Sequence, residues 1–115
     1  MRDDKALVLA FNDAINRRNL DGLAALMTPA HRFIDTSGAA IEGKDACVDA
    51  WRRFFAAFPD YRNFFDEVRA VANGRVEVLG RSECSVPELT GPALWQVSVR
   101  GGLIDEWRVT EFPGA

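Results

Sequence analysis

The rhythm of apolar and polar positions divides this chain into a helical first half and an extended second half. From about Asp4 to Arg18, Leu7, Phe11, Ala14 and Ile15 recur at i, i+4, i+7 and i+8, the single stripe of an amphipathic helix. Asp3 and Asp4 at its start and Arg17-Arg18 at its end both suit the helix dipole. A second helix is predicted from about Leu20 to Met27, carrying Leu23, Leu26 and Met27 and broken by Pro29. The strongest helical period covers about Lys44 to Phe58, where Cys47, Ala50, Trp51, Phe54, Phe55 and Phe58 share one side and Phe58-Pro59 ends the run. Arg52 and Arg53 turn roughly 100° and 200° away from Trp51, onto a solvated face with Asp49 beside them.

Strand patterns occupy the rest. His31 to Thr36 is the first strand, with Arg32, Ile34 and Thr36 on one face and His31, Phe33 and Asp35 on the other. Asn73-Gly74 predicts a two-residue type I′ turn that pairs about Asn63–Ala72 with Arg75–Val86. Pro87 to Pro92 reads as a loop, followed by a strand over Ala93–Arg100 with Trp95, Val97 and Val99 on one face. Gly101-Gly102 then turns into Leu103–Phe112, where Leu103, Trp107 and Val109 share a face, and Pro113-Gly114-Ala115 is expected to fray. Val76 and Val78 mark one face of the meander, while Leu79 with Val68 makes the opposite face apolar too. A sheet apolar on both faces needs cover on both, and the third helix covers one, so a homodimer packed sheet to sheet is expected. The order of elements is α+β: three N-terminal helices packed in a strongly curved, mainly antiparallel sheet, a cone-shaped barrel with one pocket.

Composition narrows the function classes. A chain of 115 residues with 48% apolar content builds one domain, residues 1–115, around one core. A net charge of −3 supplies no basic face, so nucleic acid is not an expected partner. One histidine and two separated cysteines are too few for a zinc site, and no glycine-rich phosphate loop is present, so neither metal nor cofactor is expected. Cys47 and Cys84 read as small buried hydrophobes, a disulfide being the minor reading. No stretch approaches the ~20 apolar residues of a membrane span, and an acidic pair stands where a signal peptide needs a basic flank. The expectation is a cytoplasmic protein with no membrane partner.

Candidate chemistry centres on Asp35, whose parity with Phe33 puts a carboxylate on an apolar strand face. Two readings stand side by side. Asp35 is either a general base held in apolar surroundings, with its pKa raised above the ~3.9 reference, or a strand-end carboxylate bonded to its own Thr36-Ser37-Gly38 turn. His31 shares the face but lies roughly 13 Å along the strand, too far for a dyad, and reads as a residue near solvent at the strand's start.

The segments FNDAINRRNLDGLAALM, RFIDTSG, IEGKDACVDAWRRFFAAFPDYR and GGLIDEWRVTEF, in this order and spacing, resemble the nuclear transport factor 2-like superfamily. Within it they resemble the SnoaL-like and ketosteroid-isomerase-like proteins, over about Leu7 to Phe112. The resemblance implies a general-base position at Asp35. It also implies that the oxyanion donors of the isomerases are replaced by Phe11 and Trp95, so steroid isomerisation of the usual kind is not expected. Arg81-Ser82-Glu83 loosely imitates the Arg-x-Asp of the limonene-epoxide-hydrolase-like branch, but the partner expected later in the chain is replaced by Val109.

Phe11, Phe33, Phe55, Tyr61, Trp95, Trp107 and Val109 are the candidate walls of a pocket for an apolar small molecule, with Glu111 as a reserve acid. Two function classes emerge: a cofactor-independent isomerase, cyclase or lyase using Asp35 on a carbonyl ligand, or a non-catalytic ligand-binding or dimerisation module.

Overall fold

In the computed structural model, which describes residues 3–111 with the side chain of Glu111 excepted, the helices start where their periodicity predicts. Helix α1 (Asp4–Asn16) is capped by Asp3, whose carboxylate accepts from the Ala6 N–H at 2.7 Å. It buries Leu7, Val8, Phe11, Asn12, Ala14 and Ile15. Asn19 caps α2 (Leu20–Ala25) through Gly22 N–H. Helix α3 (Lys44–Ala57) buries Cys47, Trp51 and Phe55, and its solvent side carries Asp49 paired with both Arg52 and Arg53.

Pro29 does not end α2. That helix stops at Ala25, and β1 (Met27–Ile34) already contains the proline. The ladder between β1 and its neighbour shifts register between Met27 and Arg32, and such an irregular stretch tolerates a residue with no N–H to give. The early start moves His31 to mid-strand. It is fully buried rather than near solvent, with Nδ1 2.8 Å from the Ile104 carbonyl oxygen and its ring against Phe11.

The remaining strands are β2 (Ala40–Glu42), β3 (Arg62–Ala70), β4 (Arg75–Glu83), β5 (Gly91–Arg100) and β6 (Leu103–Glu111). They form one mixed sheet in the order β2-β1-β6-β5-β4-β3, with β1 and β6 parallel and the other pairings antiparallel. The sheet stays open, with β2 and β3 at its edges. Its inner face carries Val76, Val78, Trp95, Val97, Ile104 and Trp107, all buried in one core with α1 and α3.

Two bulges decide which side chains face inward. Phe65 pairs with Gly80 but Glu67 with Leu79, so Asp66 is an extra residue in β3. Val68 therefore lies opposite Val78 on the inner face and packs on the core, not outward beside Leu79 as its parity predicts. In β6, Asp105 is the extra residue, so Ile104 rather than Leu103 joins Trp107 on the inner face. The outer face holds Arg32, Glu106 and Arg108 in one ion network, with Leu79 and Leu94 as a cross-strand apolar pair.

Asn73 and Gly74 both take positive φ, 63° and 72°, as a type I′ turn requires. Arg75 N–H bonds Ala72 O at 3.4 Å, closing the predicted turn around these two residues, and Val71 N–H bonds Arg75 O at 2.8 Å, so the regular strands stop short of the turn and residues 71–74 lie between them. A Cβ on Gly74 would meet the Val99 carbonyl oxygen at 2.7 Å. Both cysteines are free. Cys47 is buried, but Cys84 lies beyond β4 and is only partly covered, its thiol 3.3 Å from an Asp60 carboxylate oxygen. Among the described residues, no helix is long and apolar enough to cross a membrane.

Candidate functional site

Between α3 and the inner face of the sheet lies a cavity of about 650 Å³. One wall is helical, from Cys47, Ala50, Trp51 and Phe54, at i, i+3, i+4 and i+7 on one face of α3. The opposite wall comes from alternate residues of the strands: Phe33 of β1, Ser82 of β4, Ala93 and Trp95 of β5, Trp107 and Val109 of β6. Tyr61, just before β3, stands edge-on to Phe54 with ring centroids 4.8 Å apart. The mouth is bordered by Asp35 and Thr36 on one side and by the segment from Glu88 to Pro92 on another, around a 3-10 turn at Pro87–Leu89.

The cavity thus brings together Phe33, Asp35, Tyr61, Trp95, Trp107 and Val109 of the residues predicted from sequence. Phe11 and Phe55 are not among its walls. Phe11 stacks behind Trp107 at 4.5 Å, and Phe55 packs on Trp51 at 5.5 Å beneath the Arg18 guanidinium. Both are core, because α1 and the far side of α3 turn away from the opening. The side chain of Glu111 lies outside the described residues. Arg81 and Glu83 are exposed on the outer face and bond each other at 2.9 Å, while Ser82 points in, so the Arg-x-acid imitation is split across the sheet.

Of the two readings of Asp35, the structure bears out the carboxylate bonded to its own turn. β1 ends at Ile34, one residue before it, so the side chain enters a turn instead of the apolar face. It is exposed, and one carboxylate oxygen, Oδ1, accepts from Ser37 N–H at 2.9 Å, Ser37 Oγ at 2.6 Å and Ala39 N–H at 3.1 Å. The Ser37 hydroxyl, together with the turn amides, holds this carboxyl below the usual carboxylate range. The raised pKa expected of a base in an apolar pocket is not found. Hydrogen bonds to the ionised form outweigh a desolvation that an exposed side chain hardly experiences.

The cavity's polar groups were largely missed by sequence reasoning. Ser82 is inward by the same two-residue parity as Val76 and Val78, a signal that was present. Its Oγ donates to Asn63 Oδ1 at 2.8 Å and lies 3.1 Å from the Tyr61 hydroxyl, whose pKa burial pushes up. Trp51, Trp95 and Trp107 all line the cavity. In each the indole Nε1–H is buried with no acceptor among the described residues. Indoles only donate, so these are three unpaired N–H groups in apolar surroundings, their nitrogens closed to solvent. Among the described residues, no three His, Cys, Asp or Glu side chains gather to hold a metal ion.

Comparison with known proteins fits this geometry. The SnoaL-like domain profile matches residues 8–110. No curated protein matches the sequence. Among solved structures, a provisionally assigned polyketide cyclase from Sinorhizobium meliloti superposes with a TM-score of 0.82 at 18% identity, over 91% of this chain and 94% of that one. TerC, co-crystallised with polyporic acid, superposes with a TM-score of 0.81 at 15% identity, over 95% and 91%. A Catenulispora acidiphila protein with a ketosteroid isomerase-like fold, in complex with trimethylamine, gives 0.80 at 15%, over 93% and 85%. Likeness at these identities speaks for the fold, and the profile for the family. The chain belongs to the SnoaL-like domain family.

Proposed function

We propose that this protein binds a flat, largely apolar small molecule carrying at least one hydrogen-bond acceptor, in the cavity between α3 and the sheet. The observation that carries this reading is the set of three buried indole N–H groups without acceptors, all on residues that wall one aromatic cavity. The indole nitrogens are closed to solvent, so a ligand's acceptor reaches one only as the walls part; a buried donor left unpaired costs about 1–3 kcal/mol, and pairing it contributes more here than on a solvated surface. The aromatic walls supply apolar contact to the rest of such a molecule.

A second reading, proton-transfer catalysis of the isomerase or cyclase kind, keeps one observation in its favour. Asp35 borders the mouth, and the hydrogen bonds of its turn fall on Oδ1, leaving Oδ2 for a ligand. Its lowered pKa makes it a weak base, however, which suits contact with a ligand's polar end better than removal of a C–H proton.

The experiment is a titration monitored by tryptophan fluorescence, comparing 1-tetralone with tetralin, which has the same rings and no oxygen. Saturable quenching by the ketone, with affinity about fivefold or more above the hydrocarbon, is the expected result. Absence of saturable quenching by either compound overturns the reading.

A further inference from the structure

Tyr61, Ser82 and Asn63 form a hydrogen-bonded chain whose proton directions are set from one end. Asn63 presents its carboxamide oxygen to Ser82 Oγ at 2.8 Å. A carboxamide oxygen only accepts, so the single Ser82 hydroxyl proton is committed to it. The Tyr61 and Ser82 hydroxyls are 3.1 Å apart, and with the serine proton engaged, Tyr61 is the donor in that contact. The phenol proton therefore points at Ser82. What Tyr61 offers to the cavity that it lines is its oxygen lone pairs.

The far end of the chain is anchored to α1. Asn63 N–H donates to Asn16 Oδ1 at 2.9 Å, and Asn16 Nδ2 donates to the Asn63 carbonyl oxygen at 2.8 Å. Asn63 and Ser82 are both buried, which shields the chain from exchange with solvent. The cavity that the three indoles help to wall thus has an acceptor at Tyr61.

We infer that Tyr61 is a specificity-determining acceptor that selects ligands bringing a hydroxyl or N–H donor to it, and that Ser82 is the positioning residue that turns the phenol proton away. This rests on the proposed function, since it names a further requirement on the ligand of the same cavity. The reverse orientation of the Asn63 amide would turn both protons round and leave the Tyr61 hydroxyl to donate, so the two arrangements select opposite partners.

The test is calorimetric binding of 2-naphthol and of its methyl ether, 2-methoxynaphthalene, to the full chain, to Tyr61→Phe and to Ser82→Ala. The wild-type protein should prefer the naphthol by about five- to tenfold beyond what the ether's extra methyl accounts for, a difference calibrated in Tyr61→Phe. Tyr61→Phe keeps the ring against Phe54 and should bring the two affinities within about twofold. Ser82→Ala frees the phenol proton for the ligand and should shift preference toward the ether, an inversion that a merely structural role for Ser82 would not produce. Equal preference in wild type and Tyr61→Phe, or a wild-type preference for the ether, overturns the inference and leaves the proposed function standing. Failure of both compounds to bind overturns the two together.

Discussion

Gly80 faces Phe65 across β3 and β4, and a Cβ placed on it would come within 2.1 Å of the Phe64 carbonyl oxygen. The contact lies beside the extra residue Asp66, where β3 bends and its backbone closes on β4. This bend keeps Asn63, Phe65 and Val68 all on the inner face although the spacing from Phe65 to Val68 is odd. The polar chain behind the cavity and the apolar packing beyond it thus depend on one glycine.

Gly80→Ala should destabilise the fold by about 1–3 kcal/mol, the usual cost of forcing atoms into a packed interior. Urea unfolding measures it directly. An unchanged midpoint would mean that the backbones do not approach as closely as the register requires.

The burial of His31 gives a pH dependence with a definite sign. Desolvation lowers its pKa below the ordinary imidazole value of 6.5, opposed by the Ile104 carbonyl and by the charges of Asp105 and Glu106. The unfolded chain therefore binds a proton at a higher pH than the folded one. Stability is unaffected by this group above about 6.5 and falls as pH drops from there toward the lowered folded value. His31→Gln should show a shallower loss of stability than wild type between about pH 6.5 and 5, where the histidine reference value sets the upper limit. Identical slopes would place the acid sensitivity elsewhere.

Asp35, with its carboxyl lowered by the Ser37 hydroxyl, should titrate below the ~3.9 reference when monitored by carboxyl NMR. Asp35→Asn should leave 1-tetralone affinity within about twofold, because the residue borders the mouth and not the aromatic wall. A titration above the reference would restore the buried-base reading.

Much of this architecture was legible because helices announce themselves by period. The stripes of α1 and α3 located their first residues, Asp4 and Lys44, and the Asn73-Gly74 pair located a hairpin. Bulges carry no such mark. The extra residues Asp66 and Asp105 look like any others in an alternating pattern. Each nevertheless reverses the facing of side chains on one side of it relative to the other, and this misplaced Val68 and Leu103. The parallel pairing of β1 with β6 was equally silent, since no local signal says which distant strand a segment meets. At the site, a two-residue error in the end of β1, Thr36 expected and Ile34 found, separated a buried Asp35 from an exposed one. The aromatic walls were found more readily, because large apolar residues on inward strand positions have few other places to go.

On the outer face Leu79 and Leu94 form a cross-strand apolar pair among charged neighbours, with Phe64 nearby under the Arg81 guanidinium. We propose that pair as the centre of the expected homodimer contact. Sedimentation should then give twice the 12.8 kDa chain mass for wild type and the single-chain mass for Leu79→Lys. A wild-type protein at the single-chain mass at tens of micromolar would contradict this.

A ligand acceptor that reaches a buried indole must change the resonance of that indole's own proton. Three tryptophans give three indole N–H resonances, so a ¹H–¹⁵N NMR titration with 1-tetralone and with tetralin observes the proposed donors themselves. The ketone should move at least one indole proton downfield, saturably, while tetralin perturbs the same signals without a downfield shift. Indole resonances that stay in place when 1-tetralone saturates the protein, or that move alike with both compounds, would contradict the proposed binding mode.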